Sequence, residues 1–444
     1  MLSLGASIPG MSPSIVHRPI TYDEAEALEQ AAAGRIETTR PTPPPYPWAD
    51  SFFTVGVTGT NGKTSTTLLL TSIFRAAGHS VLTETTLGYS LDDKVLQVPR
   101  TTQGFLTAMR EAAMAGARHA VIETTSQALA RGYAKMWRFD LGVFTNLSQD
   151  HLAVHGSWEH YLASKAQLFV HLGPGRTAVL NAFDPACVLI DKILPTDILR
   201  LWVGVASRGQ PHHEPDLTAS NVEVSSRGTR VSLQPSPLAE QLGSMLEIPL
   251  VGEVFAENAL CAAAAAHGAG CCAQAIRQGL RECPPIAGRF EIVHHDPIVV
   301  VDFAHTPDAL VRTLDTARRL TSQRVFAVFG AGGERDRDKR KPMGRAVGQR
   351  ADMAVVTNDN PRHEDPSSIA RQVAAGCRQG GRAYVRIELD RKKAIITALQ
   401  EARQGDVVVV AGKGHEQGQI IGDRTLPFSD GQVVRDFFER SAMD

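Results

Sequence analysis

Short β-branched runs alternate with longer stretches of helical period along most of this chain, and each apolar run stops at a polar or glycine-rich cluster. In the first part, residues 52–57, 119–123, 141–147 and 177–181 have strand character, while 68–74, 105–117 and 158–170 have helical character. That alternation predicts a mostly parallel sheet with helices on both faces. Residues 222–233, broken by Ser226-Arg227-Gly228, predict a hairpin, and the Ala-rich stretch 258–268 a buried helix. A second α/β unit begins near Gly288, with strands at 298–301, 324–329, 354–357 and 406–410. Their carboxyl ends carry Asp302 and the clusters 330–338, 359–362 and 412–416, where ligands of open α/β sheets gather. Two polar crests predict a cleft between two domains. Ahead of both, 22–33 reads as one amphipathic helix and 41–47 as an extended proline-rich linker.

The predicted class is α/β. A short N-terminal segment with a Pro-rich linker (1–50) precedes a central P-loop ATPase-type domain with a mostly parallel sheet (51–286) and a C-terminal Rossmann-like α/β domain (287–444).

Composition narrows the function. Of 444 residues, 43% are hydrophobic and 21% charged, which suits large globular cores, and a formal net charge of −1 points to no nucleic-acid or anionic-membrane partner. The six cysteines show no CxxC spacing, so neither a structural zinc site nor a disulfide framework is expected. A basic-then-apolar leader and an uncharged apolar stretch of about 18 residues are both missing, which predicts a soluble, cytoplasmic protein without membrane insertion. A monomer is the favoured state.

The strongest chemical signal follows the first strand. Gly59-Thr60-Asn61-Gly62-Lys63-Thr64-Ser65 is a glycine-rich turn before a helix. Its backbone N–H groups and the helix N-terminus favour an anion, Lys63 adds a full positive charge, and Thr64 offers a hydroxyl to Mg²⁺. Nucleotide phosphate is the expected ligand, although Val57 stands where the generic phosphate-loop pattern has glycine.

Other candidates lie at strand ends. Glu123, followed by Thr124, Thr125 and Ser126, is placed for Mg²⁺ or belongs to a helix-capping cluster. Residues 144–151 run from a buried strand into Asn146, Asp150 and His151, with His155 just beyond. Lys165 interrupts an otherwise apolar helix; such a lysine ordinarily carries its amine out to water.

With GTNGKT, FTNLSQDH, HYLASK, AGRFE, DFAHTPDAL, GAGGERDRDKR, DNPR and AGKGHE in this order, the sequence from about residue 51 onward resembles the Mur ligase family of ATP-dependent amide-forming enzymes. It is most similar to the MurE type, the UDP-N-acetylmuramoyl-tripeptide synthetases of peptidoglycan assembly. The resemblance implies ATP and two Mg²⁺ ions. Gly59, Thr60, Asn61, Gly62, Lys63, Thr64 and Ser65 would hold phosphates, Asn258 would belong to the adenine pocket, and Arg289, Asp302 and His305 would complete the nucleotide site from the C-terminal domain. Thr64, Glu123, His151 and a carbamylated Lys165 would hold metal. Lys63, Lys165, Glu123 and His151 would be catalytic. The implied reaction passes the γ-phosphate of ATP to a carboxylate, giving an acyl phosphate and ADP. An amine then displaces phosphate through a tetrahedral intermediate.

Asp359-Asn360-Pro361-Arg362 resembles the motif of family members that take meso-diaminopimelate, where a guanidinium grips the second carboxylate in bidentate fashion. Arg335, Gly412 and Glu416 match other positions of that amino-acid pocket, and Thr101 and Thr102 match a pair touching the carboxylate acceptor. Several positions depart from the family. Gln103 replaces a proline, Thr125-Ser126-Gln127-Ala128-Leu129 replaces SSHAL, Tyr133 replaces an arginine, and Phe255 replaces an asparagine. The segment before the phosphate loop is also shorter than the family's uridine-nucleotide domain. The expectation is therefore an acceptor other than UDP-N-acetylmuramoyl-dipeptide, or one held with little uridine contact. The alternatives are a non-catalytic nucleotide-binding regulator of a Mur ligase, a folylpolyglutamate-synthetase-like ligase, and a generic phosphate-loop ATPase or kinase.

Overall fold

A computed structural model describes residues 47–148 and 157–441. The expected helix 22–33, residues 41–46 of the proline run, and Asp150, His151 and His155 lie outside the described residues. The chain forms two compact units. Among the described residues the first comprises 47–223, 230–249 and 254–283; the second comprises 284–441 with the short stretches 224–229 and 250–253.

The first unit is built on β1 (Phe53–Thr58), β2 (Val81–Thr85), β3 (Gly88–Leu91), β4 (Lys94–Leu96), β5 (His119–Glu123), β6 (Leu141–Phe144), β7 (Thr177–Asn181), β8 (Leu199–Val205), β9 (Leu217–Ser225), β10 (Gly228–Leu233) and β11 (Met245–Ile248). These form one 11-stranded sheet in the order β11-β10-β9-β8-β7-β6-β1-β5-β2-β3-β4. β1 lies inside it, between β6 and β5 and parallel to both. The expected 222–233 hairpin is part of this sheet: the start of β9 runs parallel to β8, and only its outer half is exposed.

Close packing on β1 positions the chemistry. At Gly56 a Cβ would come within 2.6 Å of Leu168 and 2.9 Å of Phe139, so the helix Trp158–Val170 lies directly on the strand. Lys165 is three residues before Leu168, on the same helix face, and is therefore carried toward the turn that follows β1. Around this contact Phe105, Trp137, Phe139, Phe144 and Phe169 form the core. Trp48, from the turn Pro47–Ser51, joins them with its ring 6.2 Å from that of Trp137.

The second unit has a six-stranded sheet of β12 (Glu291–His295), β13 (Ile298–Asp302), β14 (Val325–Phe329), β15 (Met353–Val356), β16 (Tyr384–Ile387) and β17 (Val407–Ala411), ordered β12-β13-β17-β14-β15-β16. Only β12 pairs antiparallel. β18 (Gly418–Ile421) and β19 (Arg424–Pro427) form a separate hairpin. The near-continuous valine runs of β13 and β17 suit strands covered on both faces. No helix among the described residues is long and apolar enough to cross a membrane.

Candidate active site

Because β1, β5 and β6 are parallel neighbours, their carboxyl ends meet at one crest: Val57 lies beside Glu123, and Thr58 beside Phe144. β6 stops at Phe144, three residues before the end expected from its apolar pattern, because the next side chains serve the loop after β1. Thr145 Oγ1 donates to Asn61 O at 2.6 Å, Asn146 Nδ2 donates to the same oxygen at 3.1 Å, and Asn61 N donates to Asn146 Oδ1 at 3.0 Å. Asn61 Nδ2 donates to Ser148 Oγ at 3.1 Å, and Thr60 Oγ1 lies 3.2 Å from Tyr161 Oη.

Two glycines make the turn possible. Gly59 has φ +145°, and a Cβ there would meet Thr145 Oγ1 at 2.0 Å; Gly62 has φ +84°, and a Cβ would meet Asn258 Oδ1 at 2.3 Å. Gly62 caps the helix Lys63–Ala76 without any side-chain hydrogen bond. Asn258 Nδ2 is buried without a partner among the described residues, on the helix Glu253–Gly268 that packs against this turn. An uncapped helix start beside an unsatisfied amide donor fits the oxygens of a phosphate group. Gly62→Ala should therefore displace Asn258 and force an unfavourable φ, costing about 1–3 kcal/mol. Calorimetry with a non-hydrolysable ATP analogue should show roughly tenfold or weaker binding.

Two lysines converge on the same loop. Lys63 Nζ donates to Thr60 O at 2.9 Å, and Lys165 Nζ donates to Gly59 O at 2.6 Å. Lys165 is 1% exposed and its amine lies 4.5 Å from the centre of the Tyr161 ring, so it does not reach out to water as an isolated lysine on a helix ordinarily does. Beside them Thr64 Oγ1 donates to Glu123 Oε2 at 2.8 Å, and Thr86 N donates to the same oxygen at 3.0 Å. A hydroxyl beside a carboxylate is the all-oxygen set that suits Mg²⁺. Among the described residues no group of three or more His, Cys, Asp or Glu side chains gathers around a metal position, and His151 lies outside them.

The neighbouring threonines are committed to structure. Thr125 accepts from Ala128 N and Thr101 from Gly104 N, each starting a helix, while Thr102 is exposed on the first turn of the second. Phe255 is 3% exposed, within the packed helix.

In the second unit, Asp302 closes β13. It accepts from Phe290 N at 2.6 Å, Ala304 N at 2.8 Å and Thr313 Oγ1 at 3.0 Å. Burial pushes its carboxyl upward against these donors and nearby Arg289. Arg289 lies over Phe303 at 4.7 Å, and His305 Nδ1 is 2.8 Å from Phe303 O, so all three candidates share one loop system.

The loops after β15 and β17 are joined more tightly. Asn360 Oδ1 accepts from Lys413 Nζ at 3.0 Å and from Ile420 N at 2.9 Å, while its Nδ2 donates to Glu416 Oε2 at 3.0 Å. Fully buried Lys413 also pairs with Glu416 at 2.7 Å. Burial would raise the Glu416 carboxyl, but Lys413 and Asn360 outweigh it and hold the group below its usual range. Arg362, at φ +52°, donates through Nη1 to Gly333 O at 2.7 Å, and exposed Arg335 stands on the loop that contains Gly333. Gly412 has φ +113°, and a Cβ there would meet Asp359 Oδ2 at 2.6 Å. Pro361 O would lie 1.9 Å from a Cβ at Gly333.

Beneath this network lies a pair that the sequence pattern did not single out. Arg391 and Asp430 are both 0% exposed at the side chain and bond through both ends, Nε to Oδ1 at 2.8 Å and Nη2 to Oδ2 at 2.7 Å. Arg391 also donates to Asn358 O at 3.1 Å and Ala411 O at 2.9 Å, the residues just before Asp359 and Gly412. Its only signal in the sequence was an arginine opening a helix after Asp390, which caps it.

The chain is similar to known proteins. Residues 57–266 match the Mur ligase middle domain, and residues 288–414 match the Mur ligase, glutamate ligase domain. The UDP-N-acetylmuramoyl-L-alanyl-D-glutamate–2,6-diaminopimelate ligase of Solibacter usitatus is 39% identical over 388 residues, covering 86% of this chain and 76% of that protein. This chain belongs to the Mur ligase family. It is an ATP-dependent acid–amino-acid ligase of the MurE type. The corresponding ligase of Bacillus velezensis is 37% identical, covering 86% of this Mur ligase and 77% of its own length. A solved structure of a UDP-N-acetylmuramoyl-L-alanyl-D-glutamate–2,6-diaminopimelate ligase superposes with a TM-score of 0.63 at 33% identity, over 88% of this chain and 79% of that one. Folylpolyglutamate synthase from Mycobacterium tuberculosis shares the fold at a TM-score of 0.66 and 20% identity, covering 88% of this chain and 96% of that one.

Proposed function

We propose that this Mur ligase uses ATP to activate a peptide-borne carboxylate and joins it to meso-diaminopimelate or a closely similar diamino diacid. One observation carries the choice of amine. Arg362 and Glu416, a cation and an anion, are anchored by a single set of loop hydrogen bonds running through Asn360, Lys413 and Gly333. An amino acid with a second carboxylate and a distal ammonium supplies the complement to both. Gly412 leaves room for Asp359, and Arg335 adds a second cation for the same substrate.

In the first unit, the uncapped helix start, Lys63 and Asn258 hold the phosphates of ATP, and Thr64 and Glu123 hold Mg²⁺. Arg289, Asp302 and His305, which share one loop system, are further proposed nucleotide contacts. When bound, Mg²⁺ offsets the repulsion between triphosphate and carboxylate. Lys165 contributes as its carbamate: CO₂ adds to the free amine with loss of one proton. One N–H remains to bond Gly59 O while two oxygens become available to a cation. His151 belongs to the same metal set.

Phosphate release from ATP tests the assignment. Release that requires both an acyl peptide and meso-diaminopimelate supports it. Release without amine indicates an ATPase, and none at all indicates a regulator.

A further inference from the structure

Directly after Arg362 the second unit carries a histidine bonded at both ring nitrogens. His363 Nδ1 lies 2.9 Å from Glu334 Oε1, on the loop after β14. Its Nε2 lies 3.1 Å from Asp423 Oδ1, in the turn between β18 and β19. An ionised carboxylate only accepts hydrogen bonds, so a ring held between two of them must donate at both nitrogens. Neutral imidazole donates at one nitrogen; the imidazolium donates at both. The bond to Glu334, the bond to Asp423 and the charges of both acids raise the His363 pKa above its usual value, against burial.

This clasp brackets Arg362. Arg362 and Glu334 have φ +52° and +53°, a left-handed conformation that residues with a Cβ keep only where their surroundings impose it. Arg362 N donates to Ile420 O at 3.2 Å and Gly422 N donates to Arg362 O at 2.8 Å, so the β18–β19 hairpin runs alongside this residue. The His363–Asp423 bond fastens the tip of that hairpin. On the other side Arg362 Nη1 reaches Gly333 O, and Glu334 N donates to Glu364 Oε1 at 2.5 Å. The His363–Glu334 bond joins the same two loops. One ring therefore links the loop of Arg362, the loop of Gly333 and the hairpin. Of the other charges on these segments, Arg337 and Arg340 pair with Glu364, Asp336 accepts from Asp338 N, and Arg335 and Arg424 are exposed.

We propose that His363 is a positioning residue of the ligase: as an imidazolium between Glu334 and Asp423 it holds Arg362 in place for the second carboxylate of the incoming diamino acid. This rests on the role given to Arg362 above. The clasp is complete while the ring is protonated and is lost as pH rises through the raised pKa of His363, so affinity for the amine falls toward alkaline pH. The His363 side chain is 56% exposed, and exposed ion pairs are individually weak. The effect is therefore a severalfold change in KM, with kcat left near its original value. The competing account is a surface ion pair without influence on Arg362.

The test varies meso-diaminopimelate at saturating ATP and UDP-N-acetylmuramoyl-L-alanyl-D-glutamate, with ADP release as readout, from about pH 6 to about pH 9. At the acid end, His363→Ala should raise KM for meso-diaminopimelate about threefold to tenfold. Its kcat and its KM for ATP should stay within about twofold of wild type. His363→Arg, whose guanidinium stays charged and can donate to both acids throughout this range, should keep KM near wild type there. Dividing the wild-type KM by that of His363→Arg cancels the titration of the substrate itself. This ratio should rise from about one at the acid end toward the value for His363→Ala at the alkaline end. An unchanged KM in His363→Ala, an equal rise in its KM for ATP, a His363→Arg variant as impaired as the alanine one, or a ratio flat with pH would overturn the proposal. Any of these with turnover that still requires meso-diaminopimelate leaves the ligase reading standing. Wild-type turnover that is absent or independent of meso-diaminopimelate removes both.

Discussion

Lys165→Ala should lower amine-dependent ADP release by about 10²–10³-fold, the scale set by removing one fixed group that stabilises charge in a transition state. The side chain is 1% exposed and bonded to Gly59 O, so its loss affects the phosphate loop directly. Added formate or acetate should restore part of the rate, because a small acid can occupy the vacated space and return the lost anionic oxygens. Lys165→Arg keeps a cation but cannot form the carbamate, and should be as inactive as the alanine variant. Full activity of Lys165→Ala without added acid would remove the carbamate from the mechanism. A loss that no acid relieves would assign Lys165 to holding the loop alone.

The second large effect is expected at Arg391 and Asp430. Replacing one member of a fully buried pair leaves the other charge uncompensated, at a cost of about 3–5 kcal/mol. Arg391→Met and Asp430→Leu should each lower the urea midpoint clearly, and the double variant should recover much of it, since an apolar pair of similar volume is often tolerated. Activity should not recover with stability. Arg391 also bonds Asn358 O and Ala411 O, the backbone points from which the Asp359–Arg362 and Gly412–Glu416 loops depart. The stable double variant should thus keep a raised KM for the diamino acid while its KM for ATP stays near wild type. Unchanged KM values in that variant would make the pair purely structural.

The parts of this enzyme legible in the sequence share a local cause. The turn after β1 was readable because Gly59, Gly62, Lys63 and Thr64 act through their own backbone and immediate neighbours. The strands β5, β7, β13, β14 and β17 were readable because they are covered on both faces and so form short apolar runs. Strands with polar or exposed positions, such as β4, β16 and β19, were not, since nothing in their pattern separates them from loops. The end of β6 was misplaced because Leu147 is apolar while its neighbours Thr145 and Asn146 turn to serve Asn61, far away in the chain.

From the order of residues alone came the two α/β units, the glycine-rich turn after β1 and the family motifs, since each depends on spacing within a few residues. Tertiary structure decided where isolated charges go. It turned Lys165 inward onto Gly59, set Glu84 between two tyrosines, and placed Arg391 beneath the loops that follow β15 and β17. A charged side chain can be buried only where partners from distant segments meet it, and no pattern within its own segment records which partners those are.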